Sequence, residues 1–286
     1  MKTVTKIALS ALVLIAVFLV VEIVRSPDKD SVQLYFFNVG QGDAELIQKG
    51  NYQILIDGGP SDSILSELGK TMPLTDNEIE ILILTHAHAD HLAGINLVLE
   101  RYRVDKIYYS GASYTSNGYE EFLETIKNKS IVSQIPDIGE SAKVFANGEL
   151  TFLWPGEKYK DQTIKNLNNS TEVVRFCYFA ECAVFLGDEE TDEQKIMFAE
   201  LDIRQINYSA SILKISHHGS TNGTDQTTLD KIKPKFAVIE VGADNKYGHP
   251  HAAIIDMLNL AGIKTFRTDR EGTIRFQLRQ NVIEIK

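Results

Sequence analysis

The short apolar run EILILT, residues 80–85, passes directly into His86-Ala-His88-Ala-Asp90-His91, and nothing else in the chain restricts its folding as much. A continuous apolar run of this length with turn signals around it reads as a buried strand, and the following HLAGINLVLERY has helical spacing. The histidines therefore sit where a strand end turns into a helix. On an extended exit His86 and His88, two apart, project to one side and can share one metal ion. Asp90 and His91 follow as the chain turns and can face a second position. Imidazole and carboxylate at this density suit Zn²⁺, Mn²⁺ or Fe. A merely solvated loop gives no reason to crowd four such side chains between His86 and His91.

The other histidines repeat the arrangement. There are seven in all (His86, His88, His91, His217, His218, His249 and His251), each in a short cluster beside a predicted strand end. Asp188 closes the strand CAVFLGD. Alone, a carboxylate there reads as the N-cap of the Glu-rich helix that follows. A two-metal centre, however, needs a bridging carboxylate, and Asp188 is the best-placed candidate. His217 and His218 follow the strand SILKIS. Adjacent residues point apart, so one can bind metal while the other meets substrate. His249 in KYGHPH reads either as a pocket wall or as part of a loop capping the next helix. Lys214, inside SILKIS, reads either as an outward solvated side chain or as a contact for a phosphate oxygen.

The chain divides into an N-terminal segment and one domain. Lys2 and Lys6 precede an uncharged run from Ile7 to Val21, which fits the short end of a membrane-spanning helix or the apolar part of a signal peptide. Residues 1–25 are thus read as a signal anchor or signal peptide, 26–31 as a linker and 32–286 as the catalytic domain. The amino-side lysines place the domain outside the cytoplasm, membrane-anchored, or secreted if the segment is cleaved. From Val32 onward strand-like runs alternate with helical stretches, which points to an α/β fold with two sheets packed face to face and helices outside, a four-layer αββα sandwich. Cys177 and Cys182 lie on facing strands of a predicted hairpin, either as a disulfide or as two small apolar residues. The net charge of −10 disfavours a stable duplex-DNA platform, because it repels polyanions at long range.

THAHADH, preceded by LIDGG (55–59) and followed by GD (187–188) and HHGS (217–220), resembles the metallo-β-lactamase superfamily. A finer set resembles the hydrolase domain of ComEC-type competence proteins and their stand-alone relatives: NVGQGDA (38–44), NNSTEVV (168–174), LKISHHGS (213–220), YGHPH (247–251) and RTDREGTI (267–274). The match runs from about Val32 to the C-terminus. The resemblance implies the αββα sandwich and two divalent metal ions, Zn²⁺ or Mn²⁺. Their ligands would be His86, His88, Asp90, His91, Asp188 and His218. It makes Asp57 a residue that orients the histidine loop, although Asp57 reads equally as a turn residue before two glycines. Asp43 and Gln41 would shape the pocket floor. One departure stands out: the superfamily supplies a third histidine to the first metal, and none occurs here between His91 and His217. Asn168, Asn169 or Thr171 could approach in its place.

These features imply metal-assisted hydrolysis with a metal-activated water as nucleophile. Asp90, His217 and His249 are the candidate catalytic residues. Lys214, Asn168, Asn169, Thr171 and Ser220 are the candidate substrate contacts. The expected substrate is a small-molecule or oligonucleotide phosphodiester. The alternatives are a lactam, lactone or other carboxylic ester, or a non-catalytic binding module that keeps the fold.

Overall fold

The computed structural model describes residues 6, 7, 9, 10, 12–17 and 30–286. One sheet has the order β15-β14-β1-β2-β3-β4-β5-β6, built from β1 (Val32–Phe36), β2 (Glu45–Lys49), β3 (Tyr52–Ile56), β4 (Glu78–Leu84), β5 (Arg103–Tyr109), β6 (Val132–Gln134), β14 (Ile274–Arg279) and β15 (Val282–Ile285). The other has the order β13-β12-β11-β10-β9-β8-β7, from β7 (Ser141–Phe145), β8 (Gly148–Trp154), β9 (Val173–Tyr178), β10 (Glu181–Phe185), β11 (Ile212–Lys214), β12 (Phe236–Ile239) and β13 (Lys264–Arg267).

The alternation of side chains explains why both sheets are covered on two faces. Along β4, Ile81 and Ile83 enter the layer between the sheets, where Ile54, Phe36, Phe176 and Phe185 also pack. Leu82 and Leu84 point the other way, onto the helices α1 (Ser63–Thr71), α2 (Ala89–Arg101) and α3 (Asn117–Lys129). In the second sheet Ala183 and Phe185 face the middle layer. Val184 and Leu186 meet the residues of α4 (Thr191–Arg204), α5 (Gln226–Ile232) and α6 (Ala252–Leu260). Three apolar layers separate four layers of structure, the αββα sandwich expected from the sequence. A short helix, α7 (Thr268–Glu271), leads from β13 to β14.

Parallel pairing positions the site. β3 through β6 run parallel to one another, as do β10 through β13. Asp57 follows β3, His86 follows β4, Asp188 follows β10, and His217 and His218 follow β11. Loops at the carboxyl ends of parallel strands are where open α/β sheets gather their ligands, and here two sheets bring such ends together. At the opposite end of β10, Cys182 pairs directly with Cys177 of β9, and the two form a disulfide.

In the N-terminal segment, the described residues between Lys6 and Val17 are helical, with the side chains of Leu12, Leu14 and Ile15 exposed. Among the described residues no helix is long and apolar enough to cross a membrane. Residues 1–5, 8, 11 and 18–25 of the expected anchor, and 26–29 of the linker, lie outside the described residues.

Candidate metal centre

Asp57 organises the loop that leaves β4. Thr85 donates its backbone N–H to Asp57 Oδ1 at 2.8 Å and its hydroxyl to Oδ2 at 2.6 Å, and His91 Nδ1 sits 2.7 Å from Oδ2. With Nδ1 so engaged, His91 presents Nε2 to the cleft. The carboxylate is fully buried. Asp57 thus makes three contacts to the histidine loop from a turn in which its own φ is +53°. Helix α2 begins immediately after His88, its N-cap, and Asp90 lies in its first turn, where the helix dipole favours negative charge.

The second sheet supplies the opposing donors. Gly187 holds a positive φ of 48°, and a Cβ there would come within 2.6 Å of Thr171 Cγ2, so only glycine lets Asp188 reach the cleft from β10. His217 and His218 both occupy the left-handed region, with φ of 50° and 53°. Non-glycine residues rarely do so, and the strain is typical of functional positions. His218 Nδ1 sits 2.9 Å from the carbonyl oxygen of Glu240 and 3.2 Å from Asp43 Oδ1, which turns Nε2 toward the cleft.

Asp90, His91, Asp188 and His218 converge, each offering a ligand atom within 4.8 Å of the others. His91 Nε2 lies 3.4 Å from Asp188 Oδ2, and His218 Nε2 lies 3.4 Å from Asp90 Oδ2. His91 Nε2, His218 Nε2 and Asp188 Oδ1 are buried without a hydrogen-bond partner. Buried polar atoms without partners are costly, and a divalent cation at their common focus satisfies all three. The donor set fits such an ion.

Asp188 also faces a second set. His86 Nε2 and His217 Nε2 stand 3.9 and 3.8 Å from its Oδ2, and His86 Nε2 is 3.0 Å from His88 Nδ1. The position beside His86 and His88 therefore has a third imidazole nearby in His217. The sequence offered no histidine before residue 217 for this role, and the fold brings round one that adjoins His218 in the chain.

Electrostatics express the same crowding. Burial by itself lowers the pKa of His91 and His218, but the carboxylates of Asp188, Asp57 and Asp43 outweigh it. His91 is pushed well up, and His218 to about 10. Burial raises Asp90 and Asp188, yet the facing imidazoles bring both below the usual carboxylate range. His86, buried and next to His91, is pushed well down. His249 falls to about 4 through burial and the imidazoles of His218, His217 and His251.

A cavity of about 310 Å³ opens over the centre, lined by Gln41, His88, Asp90, Asn168, Asp188, His217, His218, Tyr247 and His249 among others. Of the candidate substrate contacts only Asn168 reaches it. Asn169 and Thr171 bring unpartnered oxygens to the same segment without lining the cavity, and Ser220 is buried, its backbone N–H donating to the carbonyl oxygen of His217. Lys214 corrects both readings of the sequence. It is wholly buried, its ammonium paired with Asp43 and donating to the Gly187 carbonyl at 2.9 Å. Strand alternation puts it on the same face of β11 as Ile212, toward the layer between the sheets. There it neutralises Asp43 beneath the pocket and does not line the cavity. Sequence reasoning missed its neighbours Glu45 and Glu240, both wholly buried and both with pKa raised well above normal, first by burial.

Known proteins show the same architecture. The chain is 26% identical over 266 residues to ComE operon protein 3 of Bacillus subtilis, covering 86% of this chain and 33% of that protein. It is 26% identical over 269 residues to Recombination protein 2 of Haemophilus influenzae, covering 90% and 30%. It thus spans about a third of the length of these relatives. Igni18, a metallo hydrolase from Ignicoccus hospitalis, shares the fold with a TM-score of 0.56 at 16% identity, over 87% of this chain and 100% of that one. Residues 37–239, which hold every candidate ligand, match the family model described as the Metallo-beta-lactamase superfamily, and this chain belongs to that superfamily.

Proposed function

We propose that this chain is a metal-dependent phosphodiesterase. The observation that carries the reading is the convergence of unpartnered His91 Nε2, His218 Nε2 and Asp188 Oδ1 under a polar cavity. Two divalent cations held by the two donor sets would supply an activated water and neutralise charge developing on a leaving oxygen. The protein's own part is to position and to donate. Asp57 and Glu240 fix the rings of His91 and His218 through their Nδ1 atoms. Asn168, Gln41 and His217 line the cavity where phosphoryl oxygens would sit. His249, neutral at pH 7 with its pKa near 4, keeps one ring N–H with which it can hold a leaving oxygen by a hydrogen bond. The names of the relatives, a competence-operon protein and a recombination protein, support a nucleic-acid diester over a lactam.

The same reading places the domain outside the cytoplasm on an N-terminal anchor. The apolar run from Ile7 to Val21 supports it, and the Cys177–Cys182 disulfide fits an oxidising compartment. Protease added to intact cells should remove the domain; full protection inside the cell would contradict this placement. Activity is tested by metal analysis and parallel assays with Mn²⁺ and Zn²⁺ on bis-nitrophenyl phosphate, a short oligonucleotide and nitrocefin. Turnover of nitrocefin alone would reverse the substrate class. Bound metal with no turnover of any of the three would leave a binding module.

A further inference from the structure

Tyr247 is 55% exposed at the cavity rim. Its ring stacks on His249, with centroids 5.6 Å apart and planes at 25°. Exposed single aromatics are ordinary, but this one is held in place by unusual means. The side chain of Asn245 uses its full hydrogen-bonding capacity on the loop's own backbone. Its Oδ1 accepts from the N–H of Tyr247 at 3.2 Å and of His249 at 2.9 Å, and its Nδ2 donates to the carbonyls of Gly242 and His249, both at 2.8 Å. Gly248 supplies the positive φ of 72° that sets the two rings on the same side. His251 donates its backbone N–H to Gly219 at 3.0 Å, tying the loop to the turn that carries His218. The ring is thus fixed relative to the metal ligands before any substrate arrives. Around it lie groups suited to a nucleotide. Lys246 Nζ hovers 5.3 Å from the Tyr247 ring, and Gln41 Nε2 at the cavity has no partner. A second tyrosine, Tyr114, is 38% exposed and lies edge-on to His88 with centroids 6.0 Å apart.

We infer that Tyr247, backed by His249 and fixed by Asn245, is a stacking platform for an unpaired nucleobase next to the scissile phosphate, so that the preferred substrate is single-stranded nucleic acid. This deepens the phosphodiesterase reading and rests on it for the phosphate's place at the metals. A base in duplex is already stacked and cannot reach the ring. Base–aromatic stacking of this kind is sequence-tolerant, because every base has a π-face. On binding, Lys246 leaves the ring for a backbone phosphate, which offsets locally the acidic charge of the chain as a whole.

The test uses the metal-loaded full chain and a short single strand carrying 2-aminopurine, with an abasic strand of equal length for comparison. Binding is read by stopped-flow fluorescence before turnover, and cleavage afterwards. The platform predicts quenching of 2-aminopurine and a preference for the base-bearing strand of about 10- to 100-fold. Tyr247→Phe should keep that preference and Tyr247→Leu should collapse it to near unity; because the residue is exposed, neither change opens a cavity in the core. Pairing the strand with its complement should abolish quenching. Equal binding of base-bearing and abasic strands, a preference that survives Tyr247→Leu, or no binding of either strand would overturn the platform. Equal cleavage of both strands would do so while leaving the phosphodiesterase reading intact. Quenched, tightly bound strands that no metal allows to be cut would sustain the platform and sink the phosphodiesterase instead.

Discussion

Asp57 does not line the cavity, yet it bonds the three groups that set the histidine loop, the Thr85 N–H, the Thr85 hydroxyl and the ring of His91. Such partners of metal-binding histidines tune affinity, so Asp57→Ala should weaken metal binding about 10- to 100-fold. A competitive chelator dye would measure it, and circular dichroism would check that the fold survives. Asp188→Ala removes the carboxylate shared by both donor sets and should abolish hydrolysis; full activity in that variant would refute a metal mechanism centred there. The pH dependence follows from the same crowding. Metal-free His91 and His218 hold protons at neutral pH, because facing carboxylates overcome the effect of burial. A cation must displace those protons, so metal affinity should rise with pH, by about tenfold per unit for each proton displaced. Calorimetry in buffers of different ionisation enthalpy would count the protons, and a count of zero near pH 7 would contradict the assignment. For the metal-free fold the sign is opposite. His218 has a folded pKa near 10 against an ordinary 6.5, so its stabilising contribution is complete below about pH 6.5 and is lost as pH rises toward 10.

Helix α2 can carry Asp90 and His91 to the site only by lying unusually close to the turn after β3. Gly58 donates its N–H to the His91 carbonyl at 2.8 Å, and Gly94 donates to Gly59 at 2.9 Å. A Cβ on Gly94 would meet the Gly58 oxygen at 1.8 Å, and one on Gly58 would meet the Ile95 nitrogen at 2.4 Å. Gly94→Ala must therefore push the helix off the turn, costing about 1–3 kcal/mol and displacing His91. Denaturant melts should show the loss, and metal affinity should fall with it. The hairpin of β9 and β10 gives a contrast. Its disulfide closes a loop of sequence separation 5, so replacing both cysteines by alanine should cost on the order of 2 kcal/mol. Metal affinity should stay unchanged, because Asp188 leaves the other end of β10. A change in metal binding there would mean that the hairpin transmits strain along the strand.

Across the whole molecule, the candidate centre joins two halves. His86, His88, Asp90 and His91 come from the first sheet, Asp188, His217 and His218 from the second. A cation bound between them acts as a clasp that only the folded state can use. With free metal at a thousandfold over its dissociation constant the gain is about 4 kcal/mol. Chelation should then lower the melting temperature by on the order of 10 °C, read by calorimetry; an unchanged transition would mean that no metal bridges the sheets. The site's chemistry was legible in the chain because ligand types and strand ends are local properties. EILILT followed by His-x-His-x-Asp-His marks a buried strand with its ligands attached, and largely apolar runs such as SILKIS, interrupted only by Lys214, announce sheets covered on both faces. Local order could not say which side a residue inside such a run would face, since period-2 alternation has two phases. Packing chose the phase that sends Lys214 between the sheets to Asp43. Nor could the chain's order reveal that Asp188 would face His86 and His217 as well as His91 and His218. Those residues meet only because parallel strands from two sheets end at one edge, and that convergence belongs to the tertiary structure alone.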